Sequence, residues 1–165
     1  MTQPVKTDAP TGRPKIKLAT YLPYRLSVVA NAVSRVIARA YNDQHGLSVW
    51  EWRVIAVLGE TTPLTAGQIC ATTAMDKVTV SRAIASLNRR DLLQKTPKPD
   101  DRRAVLLALS DAGQTLYDQI APLALAYEQD VLEALSETER KTLFSLLAKI
   151  EGKLADGETL GSRDR

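Results

Sequence analysis

A chain of 165 residues with 44% apolar and 25% charged side chains has the balance of one globular domain of ordinary size. It has no apolar run long enough to span a membrane and no apolar signal core near its start, so cytoplasm is the expected location and no membrane partner is expected. One cysteine and one histidine exclude an internal disulfide framework and a cysteine-rich metal site. The net charge is only +3 but is unevenly spread: residues 76–103 hold eight Lys and Arg against four Asp and Glu, whereas residues 104–165 hold six against eleven. Cations gathered in one central block suit a polyanionic partner.

Residues 1–20 combine Pro4, Pro10 and Pro14 with Lys6, Arg13, Lys15 and Lys17 and show no apolar periodicity, which predicts a flexible basic arm. It reads most simply as a solubilising tail and, as the alternative, as a source of extra phosphate contacts. Tyr21 to His45 reads as one long helix, with Pro23 in its first turn and Gly46 as its C-cap. Leu22, Leu26, Val29, Val33, Val36, Ile37 and Ala40 recur at spacings of three and four. At 1.5 Å per residue such a helix is about 37 Å long, more than a small lobe needs for its own core. Ser48 and Glu51 form a capping box that opens a helix over 49–59. Trp50 and Trp52 there read as core, or as the lining of a ligand cavity. Residues 60–64 can add a short strand.

From Leu64 to Ser110 the chain changes character. Thr65 and Gln68 form a second capping box, and Ala71–Ala74 reads as a turn. Asp76 then caps a helix with Lys77 to Leu92 as its body, buried along Val80, Ala83, Ile84 and Leu87. Its other face carries Lys77, Thr79, Ser81, Arg82, Ser86, Arg89 and Arg90. Residues 93–96 and 104–109 read as two strands joined by a loop with Pro97, Pro99, Asp100 and Asp101. Cys70, on the first helix of the pair, reads as a small apolar residue, since no basic neighbour in sequence would activate its thiol. Two helices at an angle followed by a basic hairpin define a winged helix-turn-helix in a mainly α fold.

Ser110 caps a further helix predicted to reach about Leu135, with Pro122 expected to kink it. Ser136 and Glu139 open a final helix striped by Leu143, Leu146, Leu147, Ile150 and Leu154, and residues 156–165 read as a frayed end. Apolar-striped helices at both ends of the lobe, over 21–47 and 111–155, have one economical use: pairing with their copies in a homodimer. Two-fold symmetry would set two reading helices one DNA turn, about 34 Å, apart on a palindromic operator in double-stranded DNA.

Within the lobe, spanning 48–110, base reading falls to Lys77, Val78, Thr79 and Arg82, with Ser81 and Ser86 as phosphate contacts. Arg89 and Arg90 read as backbone contacts or as plain surface charge. The run Asp76-Lys77-Val78-Thr79-Val80-Ser81-Arg82, then Leu87-Asn88-Arg89-Arg90-Asp91-Leu92-Leu93, then Asp100-Asp101-Arg102-Arg103-Ala104 and Leu109-Ser110-Asp111-Ala112-Gly113, resembles the MarR (multiple antibiotic resistance regulator) family of transcription factors. The resemblance extends over roughly residues 21–154. It departs at Asp91, where many members carry glycine, so the helix end there is expected to be shaped differently.

The resemblance implies a dimeric regulator, most often a repressor. It implies that Arg103, with Arg102 beside it on the wing, enters an A·T-rich minor groove while Asp101 holds it in place. It also implies release of DNA by a small phenolic or lipophilic anionic effector, for which Tyr24, Arg25 and Trp50, with Arg35 and Arg39, have suitable chemistry. No catalytic constellation, cofactor loop or metal cluster is visible, so the chain does not read as an enzyme. The competing readings are a winged-helix adaptor that binds protein rather than DNA, and a redox sensor acting through Cys70.

Overall fold

The computed structural model describes residues 15–99 and 101–155, together with the backbone but not the side chains of Arg102 and Arg103. Backbone contacts divide the chain into two compact units, Met1–Ala32 and Val33–Arg165. In the first, a 3-10 turn at Leu18–Thr20 precedes the helix α1, Leu22–Ile37, which continues into the second. Pro23 sits in the first turn of α1, where a helix has no use for its missing N–H. Leu22, Leu26 and Val29, in the N-terminal part of the apolar stripe read from the sequence, are 50%, 41% and 51% exposed, whereas at its C-terminal end Ile37 packs against the core and Ala40 is buried.

The single helix expected over 21–45 is broken. A 3-10 turn at Ala38–Ala40 and the non-helical Tyr41 separate α1 from a one-turn helix α2, Asn42–His45. Packing holds the break in place: Ala40 and Tyr41, which stand at it, are both buried. Tyr41 stacks on Trp52 at 5.4 Å between ring centres, and Trp52 on Tyr117 at 6.1 Å, a run of aromatic contacts that fixes the bend. Gly46 ends α2 as expected, at φ 60°, with its N–H on the Asn42 carbonyl.

The helix α3 spans Val49–Glu60 and starts at the Ser48–Glu51 capping box, with Glu51 Oε2 accepting from the Ser48 N–H at 2.7 Å. A short strand β1, Leu64–Thr65, leads into α4, Ala66–Thr73, which starts from the Thr65–Gln68 box. The helix continues through 71–73, where a turn was expected, because Ile69 anchors it in the core and Thr73 bonds back to the Ile69 carbonyl. Ala74 then closes it at φ 52°.

After α5, Lys77–Arg89, come β2, Leu93–Lys98, and β3, Asp101–Leu109. They pair antiparallel, and β1 adds to the other edge of β3, giving the order β1–β3–β2. The helix α6, Asp111–Leu132, begins at Ser110 and runs through Pro122 as one helix, and α7, Glu137–Ala155, begins at the Ser136–Glu139 box. The core gathers Leu47, Val54, Ile55, Leu58, Ile69, Val80, Leu87 and Ile120, so α3, α4, α5 and α6 share one interior. Trp52 packs against it, as read from the sequence; Trp50 does not and is 49% exposed, with the Arg53 guanidinium 5.3 Å from its ring centre. No helix among the described residues is long and apolar enough to cross a membrane.

Candidate nucleic-acid interface

The helix α5 is held at both ends and shows one face to solvent. At its start, Asp76 Oδ1 accepts the Val78 and Thr79 N–H groups, each at 2.9 Å, and Oδ2 accepts the Thr79 hydroxyl at 2.6 Å. The Thr79 hydroxyl and then the two backbone bonds hold the Asp76 carboxyl below its ordinary range, so it stays charged against the positive helix end. At the other end Asp91 adopts φ 55°; its N–H reaches the Asn88 carbonyl, and the Leu92 N–H reaches the Leu87 carbonyl. This is a Schellman closure, completed by the buried pair Leu87 and Leu92. The different helix end expected from Asp91 is therefore not found: the aspartate takes the left-handed conformation that glycine takes elsewhere.

Val80, Ala83 and Leu87 turn inward, whereas Lys77, Val78, Ser81, Arg82 and Arg89 are exposed. Val78 is 58% exposed, an uncovered aliphatic side chain among cations, which suits contact with thymine methyl groups. Thr79 and Ser86 also have neighbours within the protein. The Thr79 hydroxyl belongs to the Asp76 cap. Ser86 is half-buried, lines one cavity with Glu51 of α3, and helps to hold that carboxylate in its charged form. Arg90 is also engaged within the protein, with Nη2 on the His45 carbonyl at 2.8 Å.

Glu51 is the feature that sequence reasoning saw only in part. It is 8% exposed, the one buried charged side chain among the described residues. Burial alone would raise its carboxyl; the Ser86 hydroxyl, the Ser48 backbone and side chain, and the charge of Arg90 outweigh that and hold it below the ordinary range. The capping box was readable from a spacing of three, but the link to Ser86 joins residues 35 positions apart and left no local signal. Beside it lies a cavity of about 310 Å³ between Ser48, Trp50 and Glu51 on one side and Thr79, Arg82 and Ser86 on the other.

On the wing, β2 and β3 run in register from Leu93↔Leu109 to Pro97↔Val105, and the next pair is Lys98↔Asp101. Residues 102–104 therefore bulge out of the ladder at the tip, and the backbone of both Arg102 and Arg103 lies in that bulge. Asp101 is exposed next to it. The side chains of Arg102 and Arg103, and all of Asp100, lie outside the described residues, as do most of the basic arm, 1–14, and the 156–165 end. A second cavity, of about 530 Å³, opens between α4, α5 and the wing, with Cys70 half-buried in its wall and Lys77 and Lys95 also lining it. Tyr24 and Arg25 are exposed on α1 in the first unit, and Trp50 is exposed on α3 in the second.

Two helices on a shared core, the second capped and cationic, followed by a hairpin with a basic bulge, define a winged helix-turn-helix of the DNA-binding class. Residues 45–104 match the model of the MarR family. NicR of Pseudomonas putida, a transcriptional repressor, is 31% identical over 88 residues, which is 53% of this chain and 56% of NicR, so the chain spans little more than half of that relative's length. The solved MarR/EmrR family regulator from Acinetobacter superposes with a TM-score of 0.78 at 27% identity, covering 86% of this chain and 99% of that one. BpsR of Bordetella bronchiseptica, solved to explain regulation of its DNA binding by 6-hydroxynicotinic acid, superposes with a TM-score of 0.71 at 25% identity over 79% of this chain and 98% of its own. The chain belongs to the MarR family of transcriptional regulators.

Proposed function

We propose that the protein is a homodimeric repressor that grips a palindromic operator in cytoplasmic duplex DNA and lets go when a small phenolic or lipophilic anion binds. The observation that carries this reading is the exposed face of α5, where Lys77, Val78, Ser81, Arg82 and Arg89 stand clear of a fixed helix backbone. Long cations there can reach guanine edges and phosphates, and Ser81 allows close approach. Arg103, aided by Asp101 and Arg102, would take the adjoining minor groove from the wing bulge.

The dimer is supported by what single chains leave uncovered. Leu22, Leu26 and Val29 on α1 and Leu143, Phe144, Leu146 and Leu154 on α7 are all exposed, a large apolar area for a soluble monomer to leave in water. In this reading 48–110 binds DNA, 21–47 with 111–155 forms the dimer, and 1–20 and 156–165 are arms. Repression is supported by the likeness to NicR, and effector release by the likeness to BpsR. Tyr24, Arg25 and Trp50 remain the candidate effector contacts.

The test is selection of a preferred duplex from a randomised pool, followed by titration at several salt concentrations. Selective binding with log affinity falling steeply against log salt is expected, with a slope of about 0.9 per phosphate neutralised. A protein that binds no duplex, or binds without salt dependence, would leave the winged-helix adaptor as the better reading.

A further inference from the structure

We infer that Glu51 and Arg90 are positioning residues that brace the reading helix α5 from behind, fixing its rotation and so the aim of Arg82. The inference rests on the DNA-binding reading above. It starts from three placements. Glu51 is buried at the N-terminus of α3, where its carboxylate already serves the Ser48 N–H at 2.7 Å. Ser86, on α5, lines the same small cavity and favours the charged form of that carboxylate. Arg90, one turn further along, crosses to the His45 carbonyl at 2.8 Å, the C-terminal end of α2.

The geometry makes a two-point brace. Val80, Ala83 and Leu87 seat α5 on the core, but aliphatic packing is not directional and tolerates small rotations about the helix axis. Hydrogen bonds and a buried charge are directional, and they meet α5 at Ser86 and at Arg90, on the side facing α3 and α2. Arg82 lies one helical turn before Ser86 and lines the same cavity. A rotation of α5 that lost Ser86 from Glu51 would therefore also swing Arg82. Leaving the carboxylate buried without its partners is costly, which is what makes one rotation preferred.

A simple structural residue and a phosphate contact both predict different results from a brace. The experiment compares each variant on the duplex selected by the wild-type protein and on a scrambled duplex of the same composition. Ser86→Ala and Glu51→Ala are expected to lower the ratio of the two affinities by about tenfold, with scrambled-duplex affinity and salt slope unchanged. Ser86→Thr, which keeps the hydroxyl, restores the ratio. Ser48→Ala, which breaks the same capping box but leaves Glu51 facing Ser86, keeps the ratio within about twofold even where thermal stability falls. Arg90→Ala lowers the ratio without flattening the salt slope. Equal weakening on both duplexes, or a ratio that Ser86→Ala leaves intact, overturns the inference while the regulator reading stands. A wild-type protein with no selective duplex binding overturns both.

Discussion

The winged lobe and the last helix start from the same local devices and treat their apolar residues in opposite ways. Ser48–Glu51, Thr65–Gln68 and Ser136–Glu139 are three capping boxes with nearly the same geometry. Yet α3 buries Val54, Ile55 and Leu58 completely, while α7 buries no residue. Capping and periodicity decide that a helix forms; they do not decide what it packs against. The first and the last of these boxes also differ in what they do. Glu139 serves its own helix end in the open, whereas Glu51 is pulled under the surface and given a second partner on α5.

The lobe should break most sharply at its tightest approach. Gly113 sits in the first turn of α6, its N–H on the Ser110 hydroxyl at 3.0 Å, and a Cβ there would run into the Leu92 carbonyl oxygen. That carbonyl already accepts the Ser110 N–H, so it cannot yield without opening the junction between α5 and α6. Gly113→Ala is expected to cost about 3 kcal/mol in urea unfolding, near the upper end for overpacking. A change below the scatter of the measurement would mean the junction is looser than drawn.

The flanking helix should respond in the opposite way. Leu146→Asp, at a 51% exposed position, is expected to leave the subunit folded, convert dimer to monomer in sedimentation, and weaken operator binding by about a hundredfold through loss of bivalency. An unchanged dimer would remove α7 from the interface.

Within the lobe the helix and the wing can be separated in turn. Arg82→Ala is expected to weaken operator binding by about tenfold and relax sequence preference at one position of each half-site. Arg103→Ala is expected to have a smaller effect, larger on A·T-flanked sites than on G·C-flanked ones, because the narrow A·T groove rewards a cation most. Competition titrations on paired duplexes read both, and equal affinity with wild type would refute the assignment.

The sequence made the lobe legible because its signals are local. Caps at Ser48, Thr65, Asp76, Ser110 and Ser136, the stripe through Val80, Ala83 and Leu87, and the proline-bearing hairpin all act within a few residues. Long-range packing was not legible. Nothing near Tyr41 announces that it will be buried against Trp52 and break the helix, and nothing near Ser86 announces Glu51. Both are contacts between residues far apart in sequence, for which spacing carries no information. Of the candidate interface, exposed cations on α5 were foreseeable from periodicity, whereas the bond from Arg90 to the His45 carbonyl was not.

Asp91 tests how far a local rule can be bent by its surroundings. At φ 55° it occupies a conformation that costs most residues about 1 kcal/mol and glycine nothing. What holds it there is the closure around it: the Leu92 N–H on the Leu87 carbonyl, the Ser110 hydroxyl on the Asp91 carbonyl at 2.7 Å, and the burial of Leu87 and Leu92. All of these use backbone groups or neighbouring side chains, so Asp91→Gly keeps every one. The substitution is expected to raise stability slightly, by about 0.5 kcal/mol once the greater freedom of glycine in the unfolded chain is set against the relieved strain. It should leave operator affinity unchanged. Destabilisation would show instead that the Asp91 side chain contributes to the helix end beyond the shape of its backbone.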